Sequence, residues 1–422
     1  MNKKMINQVL TEILHDQKES FNRDRLLIDR DVVLTSYIKT AQVVVITGVR
    51  RCGKSSLLYL IKRQMNLEDS DYCYVNFDDE RITKSKELLQ QIYLLHIEEY
   101  RKEPVFFFDE IQNVPYWEQF VNRMYEKGLK IFLTGSNATL LSSEIASSLT
   151  GRNKTLELYP FSFREYLAFR KIGHKKGVLT SKEKSLLRGV LKDYAGEGGF
   201  PLVVKERDLE LINQYFQDIL YRDIVARYRI VQVNEIKQLA LFLISNTGKL
   251  FSYSTLQQLA GIKSTQSVKS YVDYLENSFL FYFLRKFDYS VKKQMMNSRK
   301  AYVVDTGLCH RLGFSFSENS GRLLENIVLL HLLRNGKVVY YHKMKKECDF
   351  VVKEGLKITA AIQVCDTLHM ENYIREFDGL ADAMDSYGLK KGLLITNSNM
   401  LNEKQIPDNV EIVNAAEWLL SK

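Results

Sequence analysis

Residues 48–55 read Gly48-Val49-Arg50-Arg51-Cys52-Gly53-Lys54-Ser55, a complete G-x-x-x-x-G-K-[ST] loop. An apolar run, Gln42–Thr47, precedes it and a helical pattern, Lys54–Met65, follows. Few local patterns constrain a fold more tightly. Strand, glycine loop and helix in that order gather successive backbone N–H groups and a helix N-terminus around one anion. In such a loop the stretch from Gly48 to Ser56 cradles phosphate oxygens, Lys54 reaches the β- and γ-phosphates, and the Ser55 hydroxyl ligates Mg²⁺. The contacting residues are then Gly48, Val49, Arg50, Arg51, Cys52, Gly53, Lys54, Ser55 and Ser56.

A second segment fits the first. Val105-Phe106-Phe107-Phe108-Asp109-Glu110 is a continuous apolar run that ends in two carboxylates. Continuous apolar runs are the mark of buried parallel strands, and ligands collect at the carboxyl ends of such strands. Asp109 is placed to complete the Mg²⁺ shell, and Glu110 to orient and deprotonate an attacking water. A helix N-cap is the plainer use of an acidic pair, but the phosphate loop upstream favours the metal.

Strand-like runs at Val43–Thr47, Tyr72–Phe77, Val105–Phe108, Lys130–Thr134 and Thr155–Leu158 alternate with helical stretches at Ser55–Met65, Ser85–Tyr100, Tyr116–Lys127 and Ala138–Leu149. This alternation predicts an α/β fold with a five-stranded parallel sheet. After the fourth strand comes Thr134-Gly135-Ser136-Asn137, where the Asn137 amide is expected to position the attacking water; a helix cap is its other reading. Arg152, in Thr150-Gly151-Arg152, is a candidate arginine finger for a neighbour's γ-phosphate, or a surface arginine on a turn.

At 422 residues the chain is expected to form two or three domains. No apolar run approaches the roughly 20 residues of a membrane span, so no membrane partner is expected. The start lacks a signal-peptide core; Ile6, Val9, Leu10, Ile13 and Leu14 form one helical stripe expected to pack on the nucleotide-binding domain. The five cysteines (Cys52, Cys73, Cys309, Cys348, Cys365) show no C-x-x-C spacing, which argues against structural zinc and for a cytoplasmic location. A net charge of +9 favours polyphosphate partners without proving one.

The predicted organisation is an amphipathic helix over 1–24, a nucleotide-binding core over 25–160, a helical lid or linker over 161–230, a winged helix-turn-helix over 231–295 and a last α/β domain over 296–422. In the winged region, Tyr253–Leu259, the turn Ala260-Gly261-Ile262 and Ser264–Asn277 precede a hairpin, Phe279–Phe287, that leads to Lys292, Lys293, Arg299 and Lys300. In a duplex-binding reading Thr265, Gln266, Ser267 and Lys269 face the major groove and the wing cations meet phosphates. A protein-binding module of the same shape is the other reading. The last domain offers Glu325 on a helix, Asp349 on a strand and Gln363-Val364-Cys365 on the next strand. Metal-dependent nucleases gather carboxylates in this order around Mg²⁺. Gln363 is neutral and Cys365 cannot replace a lysine, so the centre reads as degenerate.

Together these residues resemble a family of bacterial and archaeal AAA-type ATPases, carried by the G-x-R-R-x-G-K-[ST] loop, Asp109-Glu110-Ile111-Gln112, Thr134-Gly135-Ser136-Asn137, Gly151-Arg152 and Pro160-Phe161-Ser162-Phe163-Arg164-Glu165-Tyr166. The resemblance implies ATP as the nucleotide, assembly into a homo-oligomeric ring, and a C-terminal winged helix fused to a PD-(D/E)XK nuclease-like fold. In place of that fold's E-V-K stands Gln363-Val364-Cys365. The leading expectation is an Mg²⁺-dependent ATPase that remodels or moves along DNA. A nucleotide-dependent switch acting on protein partners, and a nuclease whose lysine comes from Lys345 or Lys346, are the alternatives.

Overall fold

Val43–Thr47 is a run of five β-branched residues, stiff at χ1 and suited to a pleated strand, and as β1 it is buried along its whole length. In the computed structural model β1 joins β2 (Tyr72–Asn76), β3 (Val105–Asp109), β4 (Ile131–Gly135) and β5 (Asn153–Glu157) in the order β2-β3-β4-β1-β5. Every pairing in this sheet is parallel, as the alternation predicted. The order sets β4 between the strand that feeds the phosphate loop and the strand that ends at Asp109. The structure describes residues 3–23, 27–137, 149–173, 180–313 and 320–421. Two units are distinguished, 1–159 with 277–279, and 160–276 with 280–422.

In the first unit the helices Lys54–Gln64, Leu88–Tyr100 and Trp117–Glu126 follow β1, β2 and β3. The helix expected over 138–149 falls, but for Leu149, outside the described residues. The amino-terminal helix, Lys3–Asn22, packs on β2 as expected: Leu10 and Ile13 enter the core shared with Val43, Val45 and Phe106, and Phe21 stacks on Tyr74 with ring centroids 3.9 Å apart. Its stripe is narrower than predicted. Val9 is 41% exposed, because one residue turns about 100° around a helix, away from the Leu10–Ile13–Gln17 line.

The second unit begins with the helices Phe163–Phe169 and Ser181–Glu197, each opened by a capping box, Ser162 with Glu165 and Thr180 with Glu183. The turn after the latter is clasped by Asp305, whose buried carboxylate accepts the Gly199 N–H at 2.6 Å and the Gly307 N–H at 2.9 Å. Gly198 has φ +78°, and a Cβ there would lie 1.8 Å from Asp305 Oδ1, so glycine is required. Beyond it come the helices Val233–Ser245, Tyr253–Leu259 and Thr265–Asn277, and a small antiparallel sheet of β6 (Leu250–Phe251), β7 (Phe281–Arg285) and β8 (Arg299–Val303) in the order β6-β8-β7. The hairpin expected within Phe279–Phe287 does not form there: that stretch holds β7 alone, and its partner β8 comes only after a short helix, Val291–Met296.

The last sheet holds β9 (Val338–Lys343), β10 (Glu347–Glu354), β11 (Lys357–Leu368), β12 (Gly392–Asn399) and β13 (Val410–Asn414) in the order β13-β12-β11-β10-β9. It is mixed: β9-β10-β11 run antiparallel and β11-β12-β13 parallel. The helices Ser320–Arg334 and Tyr373–Tyr387 pack on it. Among the described residues no helix is long and apolar enough to cross a membrane.

Candidate functional site

At the carboxyl end of β1 the chain turns through Gly48, φ +139°, where a Cβ would meet the Leu158 carbonyl oxygen at 2.1 Å. Only glycine passes so close to β5's continuation. The loop then uses Arg51 at φ 70° and Gly53 at φ 102° before the helix Lys54–Gln64 begins, so its first N–H groups face the loop's hollow. Val49 and Cys52 are buried beneath the loop, and burial pushes the Cys52 thiol up, keeping it protonated. Arg30 braces it from outside, donating to the Cys52 carbonyl at 3.1 Å and the Tyr159 carbonyl at 2.7 Å. Arg50 pairs with Asp78 at 3.2 Å.

Lys54 is buried, and its ammonium donates to the carbonyls of Gly48 at 3.0 Å and Val49 at 3.2 Å, with Glu110 Oε1 3.8 Å away. Asp109 is 1% exposed, and burial together with the neighbouring Glu110 raises its carboxyl above the usual range. Three hydroxyls offset that cost. Ser55 bonds to the Asp109 carboxylate, Thr134 donates to Oδ1, and Tyr74 donates to Oδ2 at 3.3 Å. The same Thr134 oxygen accepts the Glu110 N–H at 3.0 Å, and Glu110 itself stands at φ 54°, which turns its side chain toward Lys54. Hydroxyl and carboxylate oxygens are the donors a hard divalent cation takes, so Ser55 and Asp109 fit Mg²⁺.

The sequence pattern had pointed to Lys54, Ser55, Asp109 and Glu110, and the fold brings these four together. Thr134, Tyr74 and Arg30 were not singled out. Thr134 stood in the quoted Thr134–Asn137 stretch, so its place after β4 was the available signal. Asn137 is buried just beyond β4. Arg152 lies at the opposite end of β1 from the loop, its carbonyl bonded to the Val43 N–H, and its guanidinium reaches Asn122 and Glu126. A strand of five residues separates it from its own loop by roughly 16 Å.

Residues 40–167 match the AAA domain family, and residues 188–320 match a domain of unknown function, DUF8612. The uncharacterized protein MJ1544 of Methanocaldococcus jannaschii is 33% identical to this chain, the alignment spanning 97% of this chain and 95% of that one. The chain belongs to that AAA-domain protein family. An uncharacterized protein of Haemophilus influenzae is 32% identical across 94% of this chain and 99% of its own. The solved Aeropyrum pernix ORC1 protein in complex with DNA covers 76% of this chain and 94% of its own at 12% identity, with a TM-score of 0.29. So loose a superposition carries no functional weight.

Beyond the AAA domain, the helix Thr265–Asn277 buries Val268, Val272 and Leu275 and leaves Thr265, Gln266 and Lys269 exposed, with Ser267 half-buried. Lys292 and Lys293 are exposed on the short helix. Lys300 is not a wing cation. It is 2% exposed, its ammonium 3.1 Å from Glu325, 3.0 Å from Glu347 and 3.2 Å from Asp349. Strand period explains the error: Lys300 shares a face of β8 with Tyr302, which points inward and donates to Glu325 at 2.6 Å. Burial alone would lower the Lys300 ammonium, but Glu325, Tyr302, Asp349 and Glu347 hold it well above its ordinary value. Gln363 lies against this cluster in a structural part, accepting the Asp349 N–H at 3.2 Å and donating to Glu376 at 2.7 Å. Lys346 pairs with Asp378 instead.

Proposed function

We propose that the AAA domain binds ATP with Mg²⁺, hydrolyses it, and passes the resulting conformational change to a DNA-holding second unit. The observation that carries the reading is the convergence of Lys54, Ser55, Asp109 and Glu110 beside a glycine loop and a helix N-terminus. Phosphoryl transfer asks the protein mainly for positioning and charge. Lys54 leaves the loop carbonyls for phosphate oxygens. Ser55 and Asp109 hold the metal, which when bound neutralises charge on the phosphates. Glu110 accepts a proton from water, with Asn137 orienting that water and Arg152 entering from a neighbouring subunit of a ring.

DNA as partner is supported by the exposed row Thr265, Gln266 and Lys269 on a helix that follows a short helix and turn, by Lys292 and Lys293, and by the chain's +9 charge. Cytoplasmic residence goes with that partner and with five unpaired cysteines. The test is a pair of variants. Lys54→Ala removes a buried ammonium from the phosphates and should weaken ATP binding at least about 100-fold. Glu110→Gln should bind ATP normally and turn over slower by roughly 10²–10⁴-fold. Unchanged affinity in the first, or parental turnover in the second, would overturn these assignments.

A further inference from the structure

A nuclease-like centre in the last domain would need room for a divalent cation among its carboxylates, and the residues present do not fit one. Glu325, on the helix Ser320–Arg334, and Glu347 and Asp349, on β10, converge from two elements. The space they enclose already holds a cation. Lys300 Nζ lies 3.0–3.2 Å from one oxygen of each, so its three ammonium protons match three carboxylates one to one. Other donors engage the same three carboxylates. Glu325 Oε1 accepts from Tyr302 as well, and Asp349 Oδ2 accepts the Val364 N–H at 3.1 Å. The second oxygen of Glu347 pairs with Lys343 at 3.0 Å. Among the described residues no group of three metal-ligating side chains is arranged to hold a metal ion.

We propose that Lys300 is a built-in cation: its ammonium replaces the divalent metal of a nuclease-like centre and ties β8 to the helix Ser320–Arg334 and to β10. The tie is set in register by the residue next to Glu325. Asn326 is buried and bonds both backbone groups of Val303, accepting its N–H and donating to its carbonyl, each at 2.9 Å, while Thr247 donates to it at 2.8 Å. That pair of hydrogen bonds fixes β8 along the helix, and Lys300 and Tyr302 then arrive together at Glu325. A buried charge is retained where partners surround it, and losing one partner of such a set is far costlier than losing an exposed ion pair. The arrangement also separates this domain's part from metal-dependent chemistry. It holds the small β6-β8-β7 sheet against the last sheet's helix, and the cation that does so cannot be chelated away.

The experiment is Mn²⁺ binding by electron paramagnetic resonance on the full chain without nucleotide. Four proteins are compared: the parent, Asp349→Asn, Lys300→Met, and the double variant. Parent and Asp349→Asn should bind Mn²⁺ alike, because the carboxylates of the parent are taken. Lys300→Met should gain one site, at least tenfold tighter than any in the parent, and the double variant should lose it. Mn²⁺ should also raise the melting temperature of Lys300→Met and leave that of the double variant unchanged. A parent site lost in Asp349→Asn, or cleavage of plasmid DNA by the parent that Asp349→Asn abolishes, would overturn the proposal and make Lys300 a catalytic lysine. A folded Lys300→Met that gains no site would overturn it equally. Should Lys300→Met fail to fold, the parent and Asp349→Asn still decide.

Discussion

Thr134 carries more of the nucleotide site than its side chain suggests, for one hydroxyl both donates to Asp109 and accepts the N–H of Glu110. Removing it leaves a buried N–H unpaired, at about 1–3 kcal/mol. Thr134→Val should lower ATP turnover on the order of 10- to 100-fold with nucleotide affinity nearly unchanged, and Thr134→Ser should restore it. A kcat equal to the parent's in Thr134→Val would show that Asp109 and Glu110 are held by other means. The sequence made Lys54, Ser55, Asp109 and Glu110 legible because their chemistry is local to two short motifs. It hid Thr134, Tyr74 and Arg30 because each acts on residues far along the chain, at separations of 25, 35 and 22 residues. Lys300 was misread for a related reason. Its neighbours Lys292, Lys293 and Arg299 made a basic run, and only the pairing of β8 showed that the strand turns this one lysine inward.

Strands and helices were legible wherever burial was one-sided or complete. β1 matched residue for residue, since five β-branched positions leave little else to form. β5 was harder to bound: its burial pattern is mostly intermediate, and the predicted Thr155 start missed Asn153 and Lys154. The helix Ser320–Arg334 also joins two roles, presenting Glu325 and Asn326 to β8 and His331 to Trp418, ring centroids 4.7 Å apart. Burial, with Arg334 and Arg164 nearby, pushes the His331 imidazole down to about 4. The folded chain therefore keeps His331 neutral where an unfolded chain would take a proton near pH 6.5. Its contribution to stability is fully present above about pH 6.5 and is lost as pH falls toward 4, at no more than about 1.4 kcal/mol per pH unit. Asp305 works in the opposite sense. Burial raises it to about 6, so its contribution is present below about pH 3.8 and is lost as pH rises through 6. His331→Gln should therefore shift the acid unfolding midpoint to lower pH, and an unmoved midpoint would contradict a neutral buried imidazole.

At the scale of the whole molecule, two features bear on assembly and work. Arg152 lies at the end of the sheet away from its own phosphate loop, so in a ring it can serve only a neighbour. Arg152→Ala should lose turnover at normal ATP affinity. Mixed with Glu110→Gln subunits, which carry an intact Arg152, it should regain part of that turnover; no recovery at any ratio would leave Arg152 as a partner of Asn122 and Glu126. The proposed coupling joins hydrolysis in the first unit to DNA held by the second. It is tested most directly by ATP turnover of the purified chain with and without linear and branched DNA, at low and high salt. Phosphate contacts release counterions, so any DNA binding through Lys269, Lys292 and Lys293 should weaken as salt rises. DNA should stimulate turnover at low salt, and high salt should return it to the DNA-free rate. Turnover indifferent to every DNA at every salt would contradict that coupling and turn the exposed face of the helix Thr265–Asn277 into a surface for a protein.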